Sequence, residues 1–352
     1  NSMKVIYVGH FSPSHNRDVL WTDAFEKLNL PYAKFRTYPY ERELKGFIGK
    51  IQTRLHVGTT LKRMRRDLVN LVVNQKADWV HFRLPLHIDI KTLIQIKDTG
   101  ATTTTYYNDD PFSENRVWGL HDMFIRAIPA YDAHFVFREK NLKEFNAMGA
   151  KQVHYCPPFY APDYHRVILR STDRNDPYDA VFIGHWENDG RHKYMEALVS
   201  AGYKVKVAGP LWDKVGGRTA LKLIGPFTPI FGEEYLRLYA GAKAGICFFS
   251  KINNDQWTRR PLEIVASGGL LVCERTEESM SYFNEGKEAF FFSSVAELIS
   301  VMKHIITNPE KAEKVRINGQ KRLYQNNDTI VDRVNMMLTV VKIIRGQLVH
   351  GN

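Results

Sequence analysis

Cysteine is scarce in this chain: Cys156, Cys247 and Cys273 are the three in 352 residues, far apart and without metal-ligand spacing. Their rarity excludes a disulfide framework and a zinc-finger pattern, and they read as buried thiols of a reducing compartment. Long apolar runs are missing too, none approaching the roughly 20 residues that span a bilayer. The opening Asn1-Ser2-Met3-Lys4-Val5-Ile6-Tyr7-Val8 lacks the make-up of a signal peptide. Its apolar part reads as a buried strand, with Asn1 and Ser2 as a remnant ahead of a natural start at Met3. A cytoplasmic protein is expected. No strand runs into Gly-x-Gly-x-x-Gly, so a nicotinamide cofactor is not indicated, and no lysine stands in a context that suggests a Schiff base.

What is present is an ordinary globular composition, 44% hydrophobic and 25% charged, in a chain long enough for two cores. Short β-rich runs alternate with helical patterns, the mark of βα units on a parallel sheet. Strands are predicted at residues 4–10, 33–38, 79–83, 102–107, 133–137 and 152–155. Helices are predicted at 18–28, 61–74, 90–97, 115–128 and 140–148. A proline-rich and then polar stretch over 157–177 marks a boundary. The alternation restarts with strands at 179–184, 204–208, 222–226, 244–249, 270–273 and 289–292, and helices at 192–200 and 232–240. A long helical pattern over 330–348 ends the chain.

The net charge is +11, and residues 41–76 hold a disproportionate part of it. Nine basic residues (Arg42, Lys45, Lys50, Arg54, Lys62, Arg63, Arg65, Arg66, Lys76) face Glu41, Glu43 and Asp67, a surplus of six. Such a surplus suits an anionic partner. Leu44, Phe47, Ile48, Ile51 and Leu55 recur there at helical spacing, and Leu61, Met64, Leu68 and Leu71 form a second stripe. Each stripe reads either as a core face or as a basic amphipathic helix on an anionic membrane.

The segment richest in chemistry is Lys251-Ile252-Asn253-Asn254-Asp255-Gln256-Trp257-Thr258-Arg259-Arg260-Pro261-Leu262-Glu263, followed by a small-residue helix and Gly268-Gly269. It reads as a polar loop, a helix beginning near Pro261, and a turn into a buried strand. Arg259 and Arg260 precede a helix start whose free N–H groups and dipole attract an anion. Glu263, in the first turn, suits ribose hydroxyls, which donate to a carboxylate. A dipole-satisfying acid beside solvated arginines is the alternative.

This segment resembles the donor-site motif of GT-B glycosyltransferases, in particular the CgeB-like (spore-maturation type) group among the group 1 glycosyl transferases. Retaining enzymes of this fold carry an acid, seven residues and a second acid. Asp255 and Glu263 keep that spacing, with Asp in place of the usual first Glu. The resemblance implies that Glu263 holds the donor ribose, Arg260 the diphosphate, and that Asp255 lies near the transferred sugar. Tyr178-Asp179-Ala180-Val181-Phe182-Ile183-Gly184-His185-Trp186-Glu187-Asn188-Asp189-Gly190-Arg191 resembles the first strand and turn of the donor domain. It implies phosphate contact by Gly184 and Arg191. The loop Leu223-Ile224-Gly225-Pro226-Phe227 resembles the one facing the nucleotide base, where Phe227 either stacks on the base or joins the core. In the N-terminal half, His10, His15 and Arg17 follow the first strand, and Asn108-Asp109-Asp110-Pro111 follows another. His10 and Asp109 are candidate catalytic bases, and a turn or capping role is the alternative for the aspartates.

The resemblance implies two Rossmann-like α/β domains facing a cleft: an acceptor-side domain at 1–160, a linker at 161–177 and a nucleotide-sugar donor domain at 178–329. The helix of 330–352 is expected to return to the N-terminal domain. It also implies transfer of a sugar from a nucleoside-diphosphate sugar to a hydroxyl on a glycan or lipid-linked acceptor, with retention. Neither metal nor cofactor is expected, because arginines and a helix N-terminus can neutralise the leaving phosphates. Assembly of a cell-surface glycan follows, with peripheral contact to the anionic inner membrane face. The competing reading is a non-catalytic nucleic-acid- or phosphate-binding protein. Nothing resembling an RNA-recognition motif or an interleaved aromatic–basic stripe supports it, and nucleic acid is not an expected partner.

Overall fold

The computed structural model describes residues 3–13, 17–166, 178–216 and 220–346. His15, the polar turn of 170–177 and the end of the predicted last helix lie outside them. Two compact units emerge: Asn1–Pro157 with Ile330–Asn352, and Pro158–Thr329.

Unit 1 is built on six parallel strands, β1 (Val5–Gly9), β2 (Tyr32–Arg36), β3 (Trp79–Arg83), β4 (Thr102–Tyr107), β5 (Ala133–Val136) and β6 (Val153–Tyr155), ordered β2-β1-β3-β4-β5-β6. Central strands with helices on both faces must be apolar or hydroxyl-bearing on both sides. All six residues of β4, four of them threonine, are buried. The helices are α1 (Val19–Lys27), α2 (Tyr38–Glu41), α3 (Gly46–Leu55), α4 (Thr59–Gln75), α5 (Ile90–Lys97), α6 (Asp122–Ala127) and α7 (Glu139–Ala147). In α4, Leu61, Met64, Leu68 and Val72 repeat at helical period and are buried, so the second basic stripe is core. In α3, by contrast, Gly49 is the residue buried, and the first stripe faces outward. The predicted helix over 115–128 begins only at Asp122, because Gly119 takes the left-handed region at φ 76°.

The C-terminal helix belongs to unit 1; it is labelled α15 below and spans Ile330–Ile344. It buries Ile330, Val334, Met337, Leu338 and Val341 and packs on α1. Arg333 donates to the carbonyl of Pro157 at 3.0 Å, and Arg345 to the carbonyls of Asp78 and Gly100 at 2.8 and 2.9 Å.

Unit 2 has five parallel strands, β7 (Ala180–Ile183), β8 (Val205–Ala208), β9 (Ala244–Cys247), β10 (Leu271–Glu274) and β11 (Phe290–Phe292), ordered β11-β10-β9-β7-β8. Side chains alternate between two cores: Ala180 and Phe182 point to one, Val181 and Ile183 to the other. Around them lie α8 (Arg191–Ser200), α9 (Asp213–Gly216), α10 (Gly232–Gly241), α11 (Arg259–Ala266), α12 (Glu277–Tyr282), α13 (Val295–Thr307) and α14 (Pro309–Gln325). The strand predicted at 222–226 is absent. A 3-10 turn at Ala220–Leu223 gives way to irregular chain, since Pro226 and Pro229 cannot donate to a ladder. All three cysteines are buried, and burial pushes the Cys156 thiol up to about 12.

Both sheets reverse strand order beside their first strand, between β1 and β3 and between β7 and β9. Ligands of open α/β sheets bind at the carboxyl ends of such a switch point.

Among the buried histidines of unit 1 are His81, His87 and His134, whose pKa values burial drives down to about 3, about 4 and about 4. Below the unfolded value near 6.5 the unfolded chain binds these protons first, so stability falls as pH drops from about 6.5 toward 4. Circular-dichroism melts at pH 7 and pH 5 should show a lower midpoint for unit 1 in acid. An unchanged midpoint would mean that these rings protonate freely in the folded state.

Candidate functional site

In unit 2, the chain leaves β7 as Gly184-His185. A Cβ on Gly184 would come within 3.1–3.2 Å of the Arg260 guanidinium and 3.0 Å of the Phe182 ring. Arg260 occupies the room that the glycine leaves, its guanidinium 5.7 Å over Phe182. It is the second residue of α11, whose N-cap, Thr258, makes no side-chain cap. The first-turn N–H groups and the positive end of the dipole therefore share one place with a guanidinium. Burial works against that charge, while Tyr239, Cys247, Tyr235 and Glu263 around it raise the pKa further, so Arg260 stays a cation.

The helix begins at Arg259 rather than near Pro261, which puts Glu263 beyond the first turn and not within it. Thr258 supplies the extended entry, and Pro261 fits as the third helical residue because its missing N–H has no intrahelical partner there. Glu263 is buried. Its Oε2 accepts from the Tyr235 hydroxyl at 2.9 Å, and its Oε1 from Arg259 Nη2 at 2.8 Å, with His165 Nε2 at 3.7 Å. Arg259 in turn lies 5.0 Å over the Phe159 ring. Asp255 is buried in the loop between β9 and α11, its N–H donating to the Ser250 carbonyl at 2.9 Å.

Two predicted donor contacts are corrected. Arg191 is spent within the protein: its side chain is 2% exposed, pairs with Asp189 at 2.7 Å and Glu187 at 3.3 Å, and donates to the His185 carbonyl at 3.0 Å. Phe227 is core, buried against Trp212 at 6.2 Å between centroids. Sequence reasoning passed over Glu187. Its carboxylate accepts from His185 Nε2 at 2.8 Å and from the Lys251 N–H at 3.0 Å, and so joins the end of β7 to the loop after β9. Burial alone would raise its pKa, but the His185 hydrogen bond and the Arg191 charge outweigh it and bring it to about 2. The signal was in the sequence: Glu187, Asp189 and Arg191 alternate directly after the glycine turn.

In unit 1, His10 follows β1 and its Nδ1 lies 2.9 Å from Glu41 on α2. The hydrogen bond to Glu41 raises its pKa. Asp109 is half-buried beyond β4, accepting from Asn108 Nδ2 at 3.1 Å. Asp110 is a turn residue, held by Lys140 at 2.7 Å and by the Phe112 N–H at 3.2 Å. Beneath His10, buried Asp18 accepts from Tyr7 at 2.7 Å, Arg83 at 2.8 Å and the Phe11 N–H at 2.8 Å.

Residues 191–339 match the family described as glycosyl transferase-like. The match takes in α11 and its arginines. Solved structures superimpose over nearly the whole chain. Anabaena HepE in complex with UDP and glucose gives a TM-score of 0.66 at 12% identity, covering 97% of this chain and 99% of that one. A glycosyltransferase from Rickettsia africae gives 0.65 at 12% identity over 98% and 99%. Sucrose-phosphate synthase from Thermosynechococcus elongatus gives 0.67 at 10% identity over 98% and 100%. At such identities the likeness establishes the fold, which is of the GT-B glycosyltransferase type. No curated protein matches the chain.

Just ahead of the glycosyl transferase-like region, removing Glu187 leaves Arg191 short of one buried partner while Asp189 remains. Glu187→Ala should cost about 2–3 kcal/mol, somewhat under the loss of an isolated buried pair. That corresponds to a melting midpoint roughly 5–10 °C lower for a unit of this size. A shift of under about 1 °C in a calorimetric scan would mean that the turn holds without it.

Proposed function

We propose that the protein is a nucleotide-sugar-dependent glycosyltransferase. The observation that carries this reading is the half-buried Arg260 guanidinium in the Gly184 gap, at an uncapped helix start, with the Glu263 carboxylate one turn further on. Such a pocket takes a diphosphate at the arginine and hydroxyls at the carboxylate. The glycosyl transferase-like match and a neighbour solved with UDP-glucose support it and make uridine diphosphate sugars the first donors to test.

In this reading the sugar C1–oxygen bond to the diphosphate breaks and its electrons go to the leaving phosphate. The acceptor hydroxyl forms the new bond to C1 on the same face, and its proton passes to that phosphate oxygen. Arg260 and the α11 N-terminus stabilise the charge as it develops, the part a metal ion would otherwise play. Asp255, on the loop that leads into α11, lies beside the transferred sugar. The acceptor is a glycan or lipid-linked hydroxyl, and the product part of a cell-surface glycan.

Isothermal titration with UDP and a turnover assay with UDP-glucose test the site. Glu263→Ala should weaken binding tenfold or more, and Arg260→Ala should lower turnover as well, since each contact to charge is worth about 1.5–3 kcal/mol. Melting curves of both variants separate lost binding from lost folding. Unchanged affinity in two folded variants would make the motif structural, and stabilisation by RNA instead of UDP would favour a nucleic-acid-binding protein.

A further inference from the structure

Of the first basic stripe, Leu44 packs on the unit 1 core, while Phe47, Ile48, Ile51 and Leu55 of α3 are exposed. α3 approaches its surroundings through Gly49, where a Cβ would come within 2.2 Å of the Leu44 backbone carbon. The opposite face carries Phe47, Ile48, Ile51 and Leu55, with Phe47 79% and Ile48 71% exposed. A second apolar element adjoins it. A Cβ on Gly119 would lie 2.8 Å from the Arg54 carbonyl oxygen, so the loop before it rests on the last turn of α3. That loop presents Val117 and Trp118, the latter 69% exposed.

The two elements are fixed to each other. His56, the αL cap of α3, donates from Nε2 to the Gly119 carbonyl at 2.7 Å and accepts at Nδ1 from His87 Nδ1 at 2.9 Å. Arg65 of α4 donates to the His56 carbonyl at 3.0 Å. The patch is therefore a mounted surface.

Its rim is basic. Lys45, Lys50, Arg54 and Arg116 are exposed around it, with Glu114 the acid on the same loop. Glu41 and Glu43 are drawn to His10 and Arg63. We propose that this face, α3 together with the Val117–Trp118 loop, docks the protein on an anionic lipid bilayer, with Phe47, Ile48 and Trp118 entering the headgroup–acyl boundary. A basic rim around an apolar centre fits a negative surface, and tryptophan favours that depth. A second copy of the chain fits poorly, because two-fold pairing of this face would bring two basic rims together.

The full chain should co-sediment with vesicles of phosphatidylcholine mixed with phosphatidylglycerol at low salt, and detach at high salt. Phe47→Ser with Ile48→Ser should reduce binding about tenfold or more, with an unchanged melting midpoint because both side chains are already in solvent. The emission difference between the native protein and Trp118→Phe should shift to the blue on anionic vesicles. No sedimentation at low salt, equal binding to pure phosphatidylcholine, or self-association abolished by the double substitution would each overturn the proposal. Neither donor nor acceptor enters these measurements, so their outcome is separate from that of the proposed reaction.

Discussion

A cation half-buried at the end of a parallel sheet loses part of its hydration and is costly unless something negative meets it. Arg260 is such a cation, and most of what surrounds it is neutral: the Phe182 ring, Tyr239, Cys247 and the bare backbone of Gly184. The carboxylate among those neighbours, Glu263, is shared with Arg259 and Tyr235. The local charge therefore stays positive, where partial removal from water strengthens each hydrogen bond to an anion. A bound diphosphate would relieve that cost, which is why ligand affinity and the stability of unit 2 should move together.

The rest of each unit holds its switch point in position by the same device. In unit 2 the Glu187–Arg191 pair lies under the turn after β7, and Lys251 is drawn to it from the loop after β9. In unit 1 the Asp18–Arg83 pair lies under the turn after β1, with Arg83 closing β3. A glycine ends β1 and another follows β7, and in each the missing Cβ makes the contact possible. On Gly9 it would lie 2.7 Å from Asp18 Oδ1, and on Gly184 it would meet Arg260. A buried ion pair contributes little net stability, yet breaking one strands a charge, so it selects one arrangement of strand ends over others.

The sheets were legible because most strands are short runs rich in apolar, β-branched and aromatic residues, β4 through its threonines and tyrosines. The failures have physical causes. Residues 222–226 look like a strand by composition, but two nearby prolines remove ladder donors. The start of α11 was misplaced because proline suits the first position of a helix yet also fits the third, where its N–H is equally dispensable. Glu263 and Arg260 are candidates through the spacing of a motif. Arg191 shares their chemistry, and nothing in the sequence says that Asp189 and Glu187 have already claimed its guanidinium. Likewise Phe227 and Phe47 are both aromatics beside polar chain, and burial separates them: one is core, the other faces solvent.

His10 bears on the stereochemistry of the proposed transfer. An inverting reaction needs a base that is unprotonated when the acceptor arrives, with a pKa near the working pH or below it. The hydrogen bond that His10 donates to Glu41 moves its pKa the other way, holding the proton to higher pH. The same pairing fixes the ring, edge-on to Tyr38 at 5.2 Å, and so suits an imidazolium that receives a negative group better than an imidazole that removes a proton. Asp109 is a carboxylate whose Oδ1 already accepts from Asn108. With neither group placed as a free base, the route that needs none is favoured, in which the leaving phosphate beside Arg260 takes the acceptor's proton. The retention we propose rests on the Asp255–Glu263 spacing, and the raised pKa of His10 accords with it.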